Sequence, residues 1–203
     1  MGRSWTLAEL GRDPLEVAPD LLGSEVTANG VTVRLTEVEA YRGEQDPGSH
    51  GYRGRTPRTD VMFGPPGRLY VYFTYGMHWC ANVVCGRDGA CAAVLLRAGE
   101  VVGGHDIAAA RREGVRPRDW ARGPARLATT LGLGRGDDGV RVGRGAPVSL
   151  RHPAQPVPAA AVRTGPRVGV SGPGGDGGRY PWRFWLDGEP TVSVYRPGKV
   201  RAR

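Results

Sequence analysis

The sequence predicts a single domain that combines short strands with a few helices. Its 203 residues fit one domain, 1–203, because nothing divides the chain into equal halves. Hydrophobic residues make up 39% and charged residues 24% of the chain, which is the composition of a globular protein. The 33 glycines and 17 prolines indicate many turns and short elements, so the helical content should be modest.

The first third of the chain predicts helical pieces, a hairpin and a long loop. Residues 5–22 read as short helices interrupted by proline and glycine. Residues 24–41 predict two strands joined at Asn29-Gly30, a dipeptide that accepts positive φ at both positions of a type I′ turn. Residues 43–67 carry glycine, proline and charge without periodicity, which predicts a long loop, and such loops are often functional.

The middle of the chain predicts further strands and then two helices. Residues 68–85 are rich in β-formers and aromatic residues, which predicts strand structure. Residues 88–100 are an almost unbroken apolar run, which predicts a central strand. A helical pattern follows at 105–114 and at 123–133, and the second helix has a proline suited to its first turn and a glycine suited to its end.

The C-terminal part returns to short strands. We predict a strand at 165–171, and a pair of strands at 182–186 and 191–195 around an Asp-Gly turn. The glycine-rich segment 171–178 reads as a surface loop.

The charge balance indicates an anionic partner. The formal net charge is +8 and the pI is about 10.0; nucleic acid is the usual partner of such a chain, and a merely basic surface is the alternative. Lys199 is the only lysine, so 27 of the 28 basic residues are arginine. Almost no side-chain amine is therefore available for Schiff-base chemistry.

The sequence carries neither a targeting signal nor a metal-ligand pattern. It has no apolar run of about 18 residues, and its N-terminus lacks the apolar segment of a secretory signal, so we expect a cytosolic protein. Cys80, Cys85 and Cys91 are not spaced as CxxC. We interpret them as buried small hydrophobes rather than as metal ligands.

The second strand of the predicted hairpin carries two glutamates in an unexpected place. Residues 31–35 alternate as a half-buried strand with valine and leucine on one face. The same parity, continued, brings Glu37, Glu39 and Tyr41 to that face. A buried carboxylate is costly unless it is paired or hydrogen-bonded, and one held in this way can serve as a general base.

A bulge near Thr36 is the alternative. It would shift the register so that Val38 and Ala40 face inward and the glutamates are solvated. The spacing alone leaves both arrangements open.

Tyrosines accompany these carboxylates. Tyr70 and Tyr72 share one strand face, Tyr75 follows at a turn, and Tyr41 lies two residues beyond the second glutamate. Rings beside a basic surface can stack on nucleobases, at about 1–3 kcal/mol per base. Tyrosines at this spacing more often serve packing, and His50 taken alone is an ordinary surface histidine.

Four segments together resemble the alkyladenine (3-methyladenine) DNA glycosylase family: "EVEAYRGEQDPGSH", "TPRTDVMFGPPGRLYVYFTYGMHWCANVV", "GACAAVLLRAGE" and "RGPARLATTLGL". The resemblance runs from about residue 20 to residue 198, with the motifs in the family's order. It implies a compact α+β domain whose curved antiparallel sheet, a partial barrel, is flanked by helices. It also implies excision of alkylated or deaminated purines from double-stranded DNA, without a cofactor or a metal.

The resemblance also implies the catalytic residues. Glu39 matches the general base that activates the water attacking C1′, and Arg97 matches the arginine that positions this water. The backbone carbonyl of Val168 matches the third contact of the water.

Further matches concern the damaged base and its neighbours. Tyr41, His50 and Tyr72 fall where the family stacks a flipped base. Tyr75 matches the wedge that enters the minor groove and fills the gap left by the flipped nucleotide. Asn82 matches the asparagine whose side chain rejects the 2-amino group of guanine.

The chemistry of the lesions suits so small a catalytic apparatus. Alkylation at N3 or N7 makes the purine a cationic leaving group, so an oriented water and a base suffice. Neutral lesions such as hypoxanthine also need a proton on the leaving base, and no acid is assigned for it. Because Lys199 is the sole lysine, we predict a monofunctional enzyme that leaves an abasic site and has no AP lyase activity.

Three arginines after His50 are candidates for phosphate contacts: Arg53, Arg55 and Arg58. Two other functions stay open, a non-catalytic nucleic-acid-binding module and a hydrolase of free nucleosides. We expect a monomer that acts in base excision repair in a bacterial-type cytoplasm, associated with the nucleoid through DNA and without a membrane partner.

Overall fold

An open antiparallel sheet organises the molecule. The computed structural model describes residues 2–74 and 76–198. The strands within these residues are β1 (Glu25–Ala28), β2 (Val31–Tyr41), β3 (Leu69–Thr74), β4 (His78–Val84), β5 (Ala93–Gly103), β6 (Ser149–Arg151), β7 (Val162–Gly165) and β8 (Arg183–Leu186). Six of them lie in the order β3-β4-β5-β2-β1-β6, and β8 pairs with β2 and β7.

The predicted fold class is confirmed. All pairings between these strands are antiparallel, and the sheet stays open instead of closing into a barrel. Strand β5, predicted to be central, lies between β4 and β2. Helices pack against the sheet, so the architecture is α+β.

The predicted hairpin between β1 and β2 is confirmed. Its turn residues, Asn29 (φ 48°) and Gly30 (φ 82°), both have positive φ, as a type I′ turn requires. The turn fixes the register, with Ala28 opposite Val31. Residues 68–85 also form a hairpin, of β3 and β4.

The predicted N-terminal helices are α1 (Leu7–Leu10) and α2 (Pro14–Leu21). Thr6 begins α1 through a capping box completed by Glu9. The side chain of Asp13 accepts a backbone hydrogen bond at the start of α2. These caps explain why such short helices begin at defined residues.

The later helices are α3 (His105–Arg111) and α4 (Pro124–Leu131). The proline in the first turn of α4 and Gly132 (φ 66°) at its end are placed as predicted. Among residues 2–74 and 76–198, no helix is long and apolar enough to span a bilayer.

The main core lies between one face of the sheet and the helices α2 and α4. Its fully buried side chains include Val38, Ala40, Leu96, Leu21 and Leu127. Burial of each larger member contributes about 1.5–3 kcal/mol. This face therefore supplies most of the apolar burial.

The loop predicted over 43–67 is confirmed. Between β2 and β3 the chain forms 3-10 turns at Gly43–Gln45 and Asp60–Phe63. These turns bring the loop back over the face of the sheet opposite the main core, where Met62 and Phe63 pack against Tyr70.

Two predicted C-terminal strands are wrong. In the segment 165–171 Gly165 ends β7 and the rest is a loop, and residues 191–195 are irregular. The strand predicted at 182–186 is confirmed as β8, but its partners are β7 and β2.

In the segments 165–171 and 191–195, backbone N–H groups donate hydrogen bonds to side chains of β2 instead of pairing with a neighbouring strand. The Val168 N–H donates to the carboxylate of Glu39, and the Ser193 N–H donates to that of Glu37. Such long-range pairings leave no periodic signal in the sequence, and they bring both segments to β2.

Candidate active site

A bulge at Thr36 sets the orientation of the carboxylates on β2. The pairing of β2 with β5 skips Thr36 on the first strand and Arg97 on the second. The extra residue Thr36 reverses the face that the following residues of β2 present, whereas Leu96 and Ala98, on either side of Arg97, both stay on the core face. As a result Val38 faces the main core, while Glu37 and Glu39 face the other side of the sheet.

Each of the two sequence interpretations was right in one respect. The bulge lies at Thr36, so the continued parity was wrong about the register. The glutamates are nevertheless not solvated, because loops cover the second face and both side chains are fully buried. When both faces of a strand are covered, alternation in its sequence does not show which residues are buried.

A cavity of about 700 Å³ opens on this second face. It is lined by all seven of the predicted catalytic and base-binding residues: Glu39, Tyr41, His50, Tyr72, Asn82, Arg97 and Val168. One transverse row of the sheet contributes its floor, because Asn82 on β4 and Glu39 on β2 both lie opposite Leu95 on β5. The sheet register thus brings together residues far apart in sequence.

A larger cavity, of about 1150 Å³, lies between the N-terminal segment and residues 152–159. Its charged side chains pair with one another: Arg3 with Glu9, and Arg12 with Asp20 at 2.8 Å. Buried titratable groups are a better indicator of a reactive site than volume, and they favour the smaller cavity.

Two hydrogen bonds hold Glu39 in the cavity wall. The Val168 N–H donates to its Oε1 at 2.8 Å, and the Tyr41 hydroxyl donates to its Oε2 at 2.9 Å. The Arg97 Nε lies 3.4 Å from Oε1. Because donors approach both oxygens, the carboxylate keeps a fixed orientation.

A second buried carboxylate anchors Arg97. The Arg97 Nε donates to Glu37 Oε1 at 3.0 Å, and the Arg183 Nε donates to the same oxygen at 2.6 Å. The Ser193 N–H donates to Glu37 Oε2 at 2.7 Å. Burial opposes the charge of Arg97, but Glu39 and Glu37 outweigh it and raise its pKa. The negative charge of Glu37 thus compensates the positive charges of two buried arginines, Arg97 and Arg183.

Aromatic rings form the walls. The rings of His50 and Tyr72 meet edge to face, with centroids 4.6 Å apart, and Tyr70 stacks behind Tyr72 at 5.3 Å. The His50 Nδ1 lies 3.1 Å from the Tyr70 hydroxyl. Tyr41 also lines the cavity, beside Glu39. Flat π faces of this kind suit a planar ligand.

His50 is neutral at physiological pH. Burial of its ring against the cavity wall, together with the charge of Arg58, lowers its pKa to about 4. Part of the side chain is open to solvent at the mouth, where water screens the effect of Arg58. The ring is therefore a hydrogen-bonding and packing group rather than a cation.

Asn82 and Cys80 add polar groups to the cavity. The Asn82 Nδ2 donates to the carbonyl of Tyr70 at 3.1 Å, and the side chain is buried. Burial raises the pKa of the Cys80 thiol, so this cysteine lines the cavity as a thiol. Among residues 2–74 and 76–198, no cluster of histidine, cysteine or acidic side chains could hold a metal ion.

A sequence profile described as methylpurine-DNA glycosylase matches residues 8–190. The chain belongs to this family. The resemblance inferred from the four sequence segments is thus confirmed.

Similar chains from several bacteria match nearly the whole length of this member of the methylpurine-DNA glycosylase family. A protein of Streptomyces avermitilis is 54% identical over 199 residues, which cover 95% of this chain and 92% of the relative. One of Leifsonia xyli is 52% identical over 97% of both chains, and one of Mycobacterium tuberculosis is 46% identical over 93% of this chain and 92% of the relative. All three are named "Putative 3-methyladenine DNA glycosylase".

The structure distinguishes the three candidate phosphate contacts of this family member. Arg55 is bound to Asp60 at 2.6 Å, and both side chains are exposed. Arg53 is exposed, and the Arg58 guanidinium lies 5.7 Å from the ring centre of Tyr72 at the cavity. Arg58 is therefore the candidate that lies closest to an aromatic wall of the cavity.

The predicted wedge, Tyr75, lies outside the described residues. Its neighbour Thr74 lines the cavity, as does His78 at the start of β4. The tip residue Met77 is 68% exposed. The β3-β4 hairpin thus stands at the mouth of the cavity.

The sequence-based prediction missed several lining residues, among them Met62, Cys80 and Leu95. Two of these left a usable signal. Cys80 has the same strand parity as Asn82, and Leu95 lies two residues before Arg97. Met62 lies in the long loop, where no sequence pattern indicates that it lines the cavity.

Proposed function

We propose that this member of the methylpurine-DNA glycosylase family is a monofunctional enzyme that removes damaged purines from duplex DNA. The observation that carries the proposal is Glu39, a fully buried carboxylate with both oxygens oriented, in the wall of an aromatic cavity. The names of its relatives suggest 3-methyladenine as one substrate base.

The depth of Glu39 implies base flipping. Its side chain is fully buried, so the reacting C1′ must come to the cavity. A glycosidic bond inside a stacked duplex cannot do this, whereas a nucleotide rotated out of the helix can. The cavity of about 700 Å³ has the size of a small-ligand pocket.

Glu39 acts as the general base in the proposed reaction. A water loses a proton to the carboxylate as its oxygen bonds to C1′, and the electron pair of the breaking glycosidic bond goes to the purine nitrogen. Arg97, held at Nε by Glu37, orients the water with its terminal nitrogens. The carbonyl of Val168 is the proposed third contact, on the residue whose N–H holds Glu39.

Selectivity arises from stacking and from exclusion. Tyr41, His50 and Tyr72 stack on the flipped base and favour electron-poor rings, alkylated or deaminated. A cationic purine leaves without further help. Asn82, with its amide held by the Tyr70 carbonyl, excludes the 2-amino group of guanine by a clash.

Contacts outside the cavity complete the proposed complex. Tyr75 fills the gap left in the duplex, and Arg53, Arg55 and Arg58 contact phosphates. A monomeric state and a place in the cytoplasm on nucleoid DNA stay predictions.

A base-release assay tests the catalytic proposal. Duplexes that carry hypoxanthine, ethenoadenine or an alkylated purine are incubated with wild type and with Glu39→Gln. We expect release by wild type and a loss of about 100-fold or more in the variant, because general-base catalysis contributes on that order. Glu44→Gln, an exposed glutamate in the loop after β2, is the matched control.

The same assay separates the alternatives. A nucleic-acid-binding module would bind the duplexes but release no base, and a nucleoside hydrolase would release base from free nucleosides in preference. Equal release by wild type and Glu39→Gln would contradict the role of this carboxylate.

Borohydride trapping tests the absence of lyase activity. An amine that attacks C1′ forms an imine, which borohydride reduces to a stable protein-DNA adduct. Because the sequence has one lysine, Lys199, we expect no adduct during base release. A trapped adduct would show that the enzyme is bifunctional.

A further inference from the structure

Arg167 is a buried arginine outside the predicted site. Its side chain is 1% exposed, and the side chain of its partner Asp46 is fully buried. The two make a bidentate ion pair, in which Nη2 lies 2.6 Å from Oδ1. The guanidinium also donates to the carbonyl of Ala40 at 3.0 Å and to that of Gly174 at 2.8 Å.

These contacts join three segments that form the cavity. Ala40 belongs to β2, Asp46 to the loop after β2, and Gly174 to the loop after β7. The space around the guanidinium is full, since a Cβ added to Gly48 would come within 2.4 Å of Nη2. The ion pair therefore holds the segments in one arrangement.

Stability alone is a weak reason for such a pair. Desolvating two charges costs several kcal/mol per ion, and apolar side chains of similar volume often serve as well. The position of the pair gives a better reason, because it lies directly behind Glu39.

Both hydrogen-bond donors to Glu39 adjoin Arg167. Val168, whose N–H donates to Oε1, is the next residue in the chain. Tyr41, whose hydroxyl donates to Oε2, stacks its ring on the Arg167 guanidinium at 4.6 Å. The Ala40 carbonyl that Arg167 binds lies between Glu39 and Tyr41 in sequence. A shift of the guanidinium would move both donors together.

We propose that Arg167, paired with Asp46, is a positioning residue that orients Glu39 through the Val168 N–H and the Tyr41 hydroxyl. Arg167 does not touch the substrate and acts through these two donors. This inference rests on the proposed glycosylase function and extends its catalytic apparatus to a second buried ion pair.

The test compares Arg167→Lys with wild type in two measurements. Lysine keeps the charge but cannot span Asp46, two carbonyls and the Tyr41 ring at once. We expect the single-turnover rate of purine release to fall about 10- to 100-fold, the scale of a displaced catalytic group. The affinity for lesion DNA should change less than about 3-fold, because no contact with DNA is lost.

Arg163→Lys is the matched control. Arg163 lies four residues earlier and pairs with Asp187 at 2.7 Å, but both side chains are exposed. Its replacement should leave rate and affinity unchanged. Reactions are run below the melting midpoint of each variant, so that unfolded protein does not contribute.

Val168→Pro supplies a second test if Arg167→Lys does not fold. It removes the N–H that donates to Glu39 and keeps the ion pair. We expect a loss of rate similar to that of Arg167→Lys, and a wild-type rate would overturn the proposed route.

Three further results have distinct meanings. A folded Arg167→Lys with a rate within 2-fold of wild type would refute the inference. Rate and affinity falling in equal proportion would refute it too, since that indicates a general structural role. Wild type without base release would instead refute the proposed function.

Discussion

The two faces of the central strands differ in what they contribute. On the core face, Val38 and Leu96 pack against apolar neighbours. On the cavity face, the alternate residues Glu39 and Leu95 line a hollow, and Glu37 and Arg97 form buried ion pairs. One pair of strands thus carries apolar packing on one face and buried charge on the other. The bulge at Thr36 makes this division on β2, because it turns Glu37 and Glu39 to the side on which Arg97 lies.

The largest expected loss of stability comes from the cavity face, at Glu37→Gln. The change leaves Arg97 and Arg183 without their shared carboxylate. Breaking a buried pair costs about 3–5 kcal/mol, and denaturant unfolding measures it. Glu100→Gln is the control, because its ion pair with Arg34 is exposed and such pairs contribute about 1 kcal/mol or less. Equal losses in both variants would show that burial of the pair does not matter.

Adjacent leucines on β5 sharpen the comparison. Leu96→Ala on the core face should lower the free energy of unfolding by about 2–5 kcal/mol and leave the activity per folded molecule unchanged. Leu95→Ala should cost less stability, because one side of Leu95 already borders a cavity, but it should change the rate of base release. Unfolding curves and single-turnover assays on both variants check this. The reverse assignment of effects would contradict the division between the faces.

The smallest expected effect is the contribution of His50 to the pH dependence of stability. Because burial lowers its pKa from 6.5 to about 4, the unfolded chain binds a proton in this window and the native state does not. The contribution of His50 to the free energy of unfolding is therefore fully present above pH 6.5 and is lost as the pH drops towards 4. Because His50 is partly exposed, the dependence of the free energy of unfolding on pH should be small.

Denaturation series between pH 7 and pH 4.5 measure this contribution. His50→Gln should flatten the slope, whereas His105→Gln, an exposed histidine on α3, should not. An unchanged slope in His50→Gln would mean that its ring takes up protons equally in both states.

Local signals predicted much of the fold. The Asn29-Gly30 turn and the proline and glycine at the two ends of α4 act within a few residues, so the sequence shows them directly. The strands predicted at 165–171 and 191–195 failed because buried side chains of β2 bind their backbone. Pairings over such distances are set by the fold and not by local propensity.

The candidate site was predictable to a different degree. The family resemblance assigned Glu39, Arg97 and Val168 to one site, although the spacing alone left the face of the carboxylate open. The connection of Arg167 to Asp46 was not predicted. An isolated arginine in a basic chain looks like a surface residue, and burial shows otherwise.

The most direct test of the division between the faces is made on Glu39→Gln, with base release and unfolding measured on the same preparation. The neutral amide removes a buried charge and keeps the shape, so the free energy of unfolding should stay within about 1 kcal/mol or rise. The single-turnover release of an alkylated purine from duplex DNA should fall by about 100-fold or more. A stable variant with nearly wild-type release would contradict the central claim that Glu39 carries the chemistry of this face.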